Sequence, residues 1–249
     1  MAGHSHWAQI KHKKAKVDAQ KGKLFGKLIR EITVATKLGG PDPNANPRLR
    51  MAIEAARKVS MPMDTIEKAI KRGSGNDKEG NLEEIVYEGY GPGGTAIMVV
   101  VATDNRNKST SEVRHAFSKH GGNLGSSGCV SYLFEQKGVI EIQKEAVDEE
   151  KLIEAALEAG ADDVETTEDM FLVYTNPKDV YEIKDILASK GFTIESAKTS
   201  LIPTTTVEIK DVDTAKKLLN LLEHLDELDE VQEVISNFEI DKDILASLG

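Results

Sequence analysis

The apolar residues of this chain change their spacing once, and that change does most to limit what it can fold into. From Lys21 to Leu38, the residues Leu24, Phe25, Leu28, Ile29, Ile32, Ala35 and Leu38 recur every three or four positions. That is the spacing of one helix face, and Gly39-Gly40-Pro41 supplies the stop. Asn46-Pro47 reads as the cap and first residue of a second helix running to Val59, with Leu49, Ala52, Ile53 and Ala56 inward. Pro62 opens a third helix in the same way. Its stripe is Ile66, Ala69 and Ile70, its acids Asp64 and Glu67 suit the positive end of the helix, and Lys71 and Arg72 suit the opposite end. The stretch "GSGNDKEG", Gly73 to Gly80, has the composition of a linker. Residues 1–79 are therefore expected to form an all-helical module.

Beyond the linker the alternation becomes strand-like. "LEEIVYEGYG" and "TAIMVVVATD" read as a hairpin turned at Pro92-Gly93-Gly94, and Ser109-x-x-Glu112 reads as a capping box opening a helix that ends near His120-Gly121-Gly122. "VSYLFEQKGVIEI" then predicts a strand, Glu149 to Ala159 a helix, Val164 to Thr167 and Met170 to Thr175 two strands, Pro177 to Lys190 a helix, and Thr193 to Ser200 a strand. This β-α-β-β-α-β order is the ferredoxin-like pattern. "TTTVEI", a helix from Asp213 to Leu225 and one strand from Val231 to Ile240 close the chain. A β-α-β tail cannot bury its faces alone, so it is expected to rejoin the earlier β-β-α. The fold class expected is α+β in three domains: a helical module (1–79), a discontinuous middle domain (80–128 and 203–249) and an inserted ferredoxin-like domain (129–202). The alternative is three consecutive domains. The strand from Met98 to Val101 sharing a sheet with the strand around Val207 would separate the two.

Charge is segregated along the same cut. The whole chain has a net charge of −10, yet residues 1–80 carry 17 Lys+Arg against 8 Asp+Glu, a net +9, and the remainder carries 15 against 34, a net −19. A cationic head on an anionic body is the pattern of a polyanion-binding protein, because the body repels what the head is left to engage. Lys11, Lys13, Lys14, Lys16, Lys21, Lys23, Lys27 and Arg30 face a single carboxylate, Asp18. A merely solvated helix face would interleave opposite charges. These eight, with His4, His6 and Trp7, are the candidate nucleic-acid contacts. Phe25 is expected to pack with Leu28 and Ile29 rather than against a base. Arg106, Lys108, Arg114 and Lys119 form a secondary candidate set, although the glycines after their helix read first as caps and turns.

Other chemistry finds less support. His4, His6 and His12 have no cysteine near them and lysines around them, so no metal site is expected there. His115 and His120, five apart, are expected to face different sides. No nucleophile elbow, H-E-x-x-H, P-loop or dinucleotide fingerprint occurs, so neither enzymatic activity nor a cofactor is expected. Asp162-Asp163 and Asp226 to Glu230 read as solvated helix ends and turns. Cys129 reads as a small buried residue at a strand start. One cysteine, no apolar segment after the charged N-terminus and no apolar run near the roughly 20 residues of a bilayer span predict a cytoplasmic protein with no membrane partner.

The stretches "AGHSHWAQIKHKKAKVDAQKGKLFGKLIREI", "NPRLRMAIEAARKVSMPMDTIEKAIKRG", "YEGYGPGGTAIMVVVATDNRNKS" and "EVRHAFSKHGGNLGSSGCVSYLF" resemble the YebC/PmpR family of probable transcriptional regulators. The resemblance implies a three-domain cytoplasmic DNA-binding protein. The same family includes translational activators and members that relieve stalled synthesis, which implies RNA or the ribosome as the alternative target. A third class, a small-molecule sensor, would rest on the ferredoxin-like pattern alone. The Pro/Asn-rich loop between Gly39 and Pro47 is longer than a helix-turn-helix turn, so contacts to the backbone rather than to base edges are expected.

Overall fold

The computed structural model describes residues 21–75, 82–145 and 147–247. Three helices come first: α1 (Lys21–Gly39), α2 (Pro47–Lys58) and α3 (Met63–Gly73). Asn46 links the first two. Its Oδ1 accepts the Leu49 N–H at 3.1 Å, while its Nδ2 donates to the Ala35 and Gly40 carbonyls, each at 2.8 Å. One buried amide thus caps the start of α2 and satisfies carbonyls at the end of α1. Pro62 is the cap residue of α3 rather than its first helical residue, and no side chain bonds there. Ile32, Leu49, Ala56 and Ile66 are fully enclosed, and Phe25, Leu28 and Ile29 pack against that core. Removing each large side chain from water contributes on the order of 2 kcal/mol. On the α1–α3 contact Thr33 and Thr36 turn their hydroxyls back to the Ile29 and Ile32 carbonyls, each at 2.8 Å. Gly73 sits so close that a Cβ there would lie 2.5 Å from the Thr33 carbonyl oxygen.

β1 (Glu83–Tyr90) and β2 (Ala96–Thr103) form an antiparallel hairpin in which Glu83 opposes Thr103 and Tyr90 opposes Ala96. A 3-10 turn, Pro92–Gly94, joins them. Gly93 and Gly94 have φ of 77° and 75°, the left-handed conformation that side chains disfavour. α4 (Arg106–Lys119) follows, then β3 (Asn123–Leu124), two residues that lie against β1. The Ser109 capping box is not formed. Asn105 caps α4 by accepting the Lys108 N–H at 3.1 Å. Ser109 lies in the next turn and faces inward, where its hydroxyl donates to the Glu230 carboxylate and lies 2.8 Å from the Thr103 hydroxyl.

Glu135–Ile202 forms its own compact unit. It contains most of β4 (Phe134–Gln143), then α5 (Glu149–Glu158), β5 (Asp163–Thr166), β6 (Met170–Thr175), α6 (Val180–Ser189) and most of β7 (Ile194–Pro203). Its strand order is β5-β6-β4-β7, the ferredoxin-like arrangement. β4 and β6 run antiparallel with Val139 opposite Tyr174, and β5 joins β6 with Val164 opposite Val173. α6 begins three residues later than Pro177, because Asn176 holds a turn there by accepting the Lys178 N–H at 3.0 Å.

The other compact unit joins residues up to Phe134 with those from Pro203 onward. Its closing elements are β8 (Val207–Ile209), α7 (Val212–Glu227), β9 (Val231–Ser236), β10 (Phe238–Ile240) and a short α8 (Lys242–Ala246). The strand beside β2 is β9, with Ile97 opposite Ser236, and the sheet order is β3-β1-β2-β9. Val207 does not join this sheet. It pairs in parallel with Phe238 in a separate two-stranded sheet, β10-β8. The single strand expected from Val231 to Ile240 is split at buried Asn237. The Asn237 side chain accepts the Ala96 N–H at 2.7 Å, and its carbonyl accepts the Val207 N–H at 2.7 Å, which passes the chain from one sheet to the other. α4 and α7 cover the larger sheet. Phe117, Val113, Leu218, Leu221 and Leu225 bury against Ile97, Val99 and Val101. No described helix is long and apolar enough to cross a membrane.

Candidate nucleic-acid interface

Of the predicted contacts, His4, His6, Trp7, Lys11, Lys13, Lys14 and Lys16, along with His12, lie outside the described residues. Lys21, Lys23, Lys27 and Arg30 are on α1. Lys23 is exposed and Arg30 half-buried. Lys27 has an internal task. Its Nζ lies 3.0 Å from Asp226 Oδ1 and donates to the Asp226 carbonyl at 3.0 Å, with the two side chains only 18% and 19% exposed. Asp226 sits in the last turn of α7, where helix-end carbonyls and a carboxylate together attract a cation.

Three further ties fix the helices to the sheet. Arg48 spans Glu31 with a two-pronged contact, Nε to Oε1 at 2.7 Å and Nη2 to Oε2 at 3.0 Å, and reaches Glu84 at 2.7 Å. Its burial opposes the charge, but Glu31 and then Glu84 outweigh that and raise its pKa further. Lys37 donates to the Leu82 carbonyl at 2.9 Å, and Arg72 lies 3.5 Å from Asp104. The cations that remain exposed on the described helices include Arg57 and Lys58 at the end of α2 and Lys68 and Lys71 on α3. None of these four is among the contacts predicted from the sequence, where Lys71 reads only as suiting a helix end. Their signal was available: residues 46–73 carry seven Lys+Arg against three Asp+Glu. Lys68 is paired with Asp64 at 2.6 Å. The tight helix connection in this module is Val59–Pro62, between α2 and α3, the length of a helix-turn-helix turn. Asp64 and Glu67 occupy the first turns of α3, the positions from which a reading helix meets base edges, and their charge opposes phosphate.

The secondary set is divided. Arg106 lies 3.3 Å from Glu83. Lys108 lies 3.4 Å from Glu230 and 3.8 Å from Glu112, and these carboxylates, Glu230 first, hold its ammonium above its ordinary pKa. Arg114 and Lys119 are exposed on α4. Glu230, expected in solvent, is 7% exposed, because Ser109 and Lys108 supply donors inside the fold.

His115 and His120 do not face different sides. Both rings approach His224 on α7, with centroids 6.3 and 5.1 Å away, and His120 Nε2 lies 3.0 Å from His224 Nδ1. Burial first pushes both His120 and His224 below their ordinary pKa; His224, Lys119 and His115 add to it at His120, and Lys119 and His115 add to it at His224 against a small opposing pull from Glu227. A shallow cleft here is lined by Lys119, His120, Asn220, Glu223, His224 and Glu227. Among the described residues no group of three or more His, Cys, Asp or Glu is placed to hold a metal ion.

Cys129 lies in a loop five residues before β4 rather than at a strand start. Burial and the nearby Glu88 push its thiol pKa up, which disfavours the reactive thiolate. The same loop folds around Glu88 of β1, whose carboxylate accepts the N–H groups of Gly128 at 2.8 Å, Val130 at 3.0 Å and Ser131 at 2.9 Å. Burial alone would raise its pKa, and these three donors outweigh it and lower it below 4.5.

Two family models match this architecture. Residues 5–76 match the TACO1/YebC protein N-terminal domain, and residues 82–238 match the TACO1/YebC second and third domain. A protein of Hydrogenobaculum named a probable transcriptional regulatory protein is 96% identical over the full length of both chains. One of the same name from Aquifex aeolicus is 60% identical, again over the full length of both. The crystal structure of a conserved hypothetical protein from Aquifex aeolicus, 60% identical, superposes with a TM-score of 0.91 over 96% of this chain and 99% of that one. With two domain models matched in order and full-length relatives this similar, the chain belongs to the TACO1/YebC family.

Proposed function

We propose that this chain is a non-enzymatic regulator of gene expression that holds nucleic acid through its helical head, mainly by phosphate contacts. The observation that carries the reading is the split of charge, +9 on residues 1–80 against −19 on the remainder. A phosphate polymer is attracted to one end and repelled by the other, so it docks in one orientation. The names of the relatives, probable transcriptional regulatory proteins, support a regulatory role. Binding by the parent and by a variant with Lys11, Lys13, Lys14 and Lys16 changed to Gln, measured on DNA and RNA in dilute buffer, tests it. Loss of affinity on both is expected; equal affinity would sink the reading.

Asp64 and Glu67 on the first turns of α3 favour a second version, in which the polymer is RNA on the ribosome rather than a promoter read through the major groove. Cosedimentation of the protein with ribosomes, set against mobility shift on promoter duplexes, separates the two. Sequence-dependent duplex binding that survives salt would rule out the ribosomal version.

A further inference from the structure

Residues 123–133 form a loop secured along its whole length. Asn123 and Leu124 pair with Tyr90 and Gly89 of β1. The Gly125 N–H bonds the Glu88 carbonyl at 2.8 Å, the Glu88 carboxylate takes three further N–H groups, and the Tyr90 hydroxyl donates to the Cys129 carbonyl at 2.9 Å. Val130 is fully buried, and the Leu133 carbonyl accepts the Thr204 N–H at 2.9 Å. Fixing a residue costs about 1–2 kcal/mol of backbone entropy, so these contacts offset the ordering of a surface loop. On this fixed frame Tyr132 is 71% exposed, and no large hydrophobic side chain among the described residues is more so. Tyr90, which neighbours it, is 38% exposed. Exposed Ser126, Ser127 and Gly128 in the same loop add no bulk. Loop stability explains Tyr90 and Glu88; it leaves the open ring of Tyr132 unexplained.

We propose that Tyr132 is a stacking platform for an unpaired nucleobase of the polymer whose phosphates the head holds. The inference rests on the nucleic-acid reading above. Residues 123–133 contain no Lys, Arg, His, Asp or Glu, so within an otherwise anionic body this loop is a neutral patch that itself neither attracts nor repels a phosphate. What it offers is a rigid aromatic face, which accepts any base and requires that the base be out of a duplex.

The test uses the full chain and fluorescence anisotropy on oligouridine, oligothymidine of equal length, and a matched duplex. Tyr132→Ala is expected to weaken single-strand binding about tenfold. The duplex affinity, the salt dependence and the melting temperature stay as in the parent. Tyr132→Phe, which keeps the ring, binds within about twofold of the parent. A loss confined to oligouridine supports the site with RNA as its source; a loss on both strands supports it for any single strand. Parent-like single-strand binding by Tyr132→Ala, an equal loss on the duplex, or a Tyr132→Phe loss as large as that of Ala overturns the inference. Failure of the head reading is seen separately: glutamines at Lys11, Lys13, Lys14 and Lys16 would leave affinity and salt dependence unchanged, whatever Tyr132 does.

Discussion

Glu88 is a single side chain on which a whole loop depends. Three N–H donors converge on a carboxylate that is 6% exposed, and a hydrogen bond to a charged acceptor contributes about 1.5–3 kcal/mol net of its exchange with water. Glu88→Gln keeps the shape and loses the charge, and is expected to destabilise the protein by about 2 kcal/mol, read as a lower urea midpoint. Its acid dependence has a definite sign. The folded carboxyl titrates below its ordinary 4.5, so its contribution is complete above that value and is lost as the pH falls through the folded value. Protection factors at Gly128, Val130 and Ser131, exchange rates corrected for the intrinsic pH dependence, should therefore fall below about pH 4.5 in the parent and lose that pH dependence in Glu88→Gln. An unaltered exchange profile in the variant would show that the carboxylate does not secure the loop. Nothing near Glu88 in the sequence announces this role, because its donors lie some forty residues ahead. Asn46 was legible because its donor, the Leu49 N–H, lies three residues on.

α4 and α7 meet over the sheet at a histidine pair, and the contact between these elements is pH-sensitive. His120 and His224 can share one proton across 3.0 Å; when both are protonated, neither accepts. His115, Lys119, Glu223 and Glu227 are the other titratable groups beside them. Both imidazoles titrate below 6.5 in the folded chain, so the unfolded chain takes up protons first. Stability is then full above pH 6.5 and falls as the pH drops below it. Urea midpoints measured from pH 7.5 to 5.5 should decline in the parent and flatten in a His120→Gln/His224→Gln double variant. A decline of the same size in the double variant would assign the effect elsewhere. The same distance rule governs what the sequence revealed of the elements. α1 to α3 and the β5-β6-β4-β7 unit follow from local periodicity and turn residues. The two-residue β3, the break at Asn237 and the meeting of His120 with His224 depend on partners up to 141 residues away. Ser109 misled because its spacing to Glu112 also occurs inside a helix, where Asn105 already supplied the cap.

For the whole molecule, charge has two roles in the head, and the structure separates residues that totals cannot. The excess of cations was plain from the sequence. That Lys27 belongs to Asp226, 199 residues on, was not. Lys27 therefore leaves the set of eight predicted contacts, and Lys11, Lys13, Lys14, Lys16, Lys21, Lys23 and Arg30 remain. Each phosphate contact contributes about −0.9 to the log–log salt slope on duplex DNA and about −0.7 on a single strand, so these seven, if all are made, contribute about −6 and about −5. Lys23→Gln is expected to make the slope shallower by about one and to leave the melting temperature unchanged, since Lys23 is exposed on α1. Lys27→Gln is expected to do the reverse. It leaves the slope alone and removes the cation from the end of α7, exposing Asp226 to an interior edge it cannot solvate fully, at a cost of about 1 kcal/mol for a half-buried pair. Binding isotherms at four salt concentrations and a thermal melt on each variant decide the matter. If Lys27→Gln flattens the salt dependence while melting like the parent, the tie to Asp226 opens when nucleic acid arrives, and Lys27 returns to the interface.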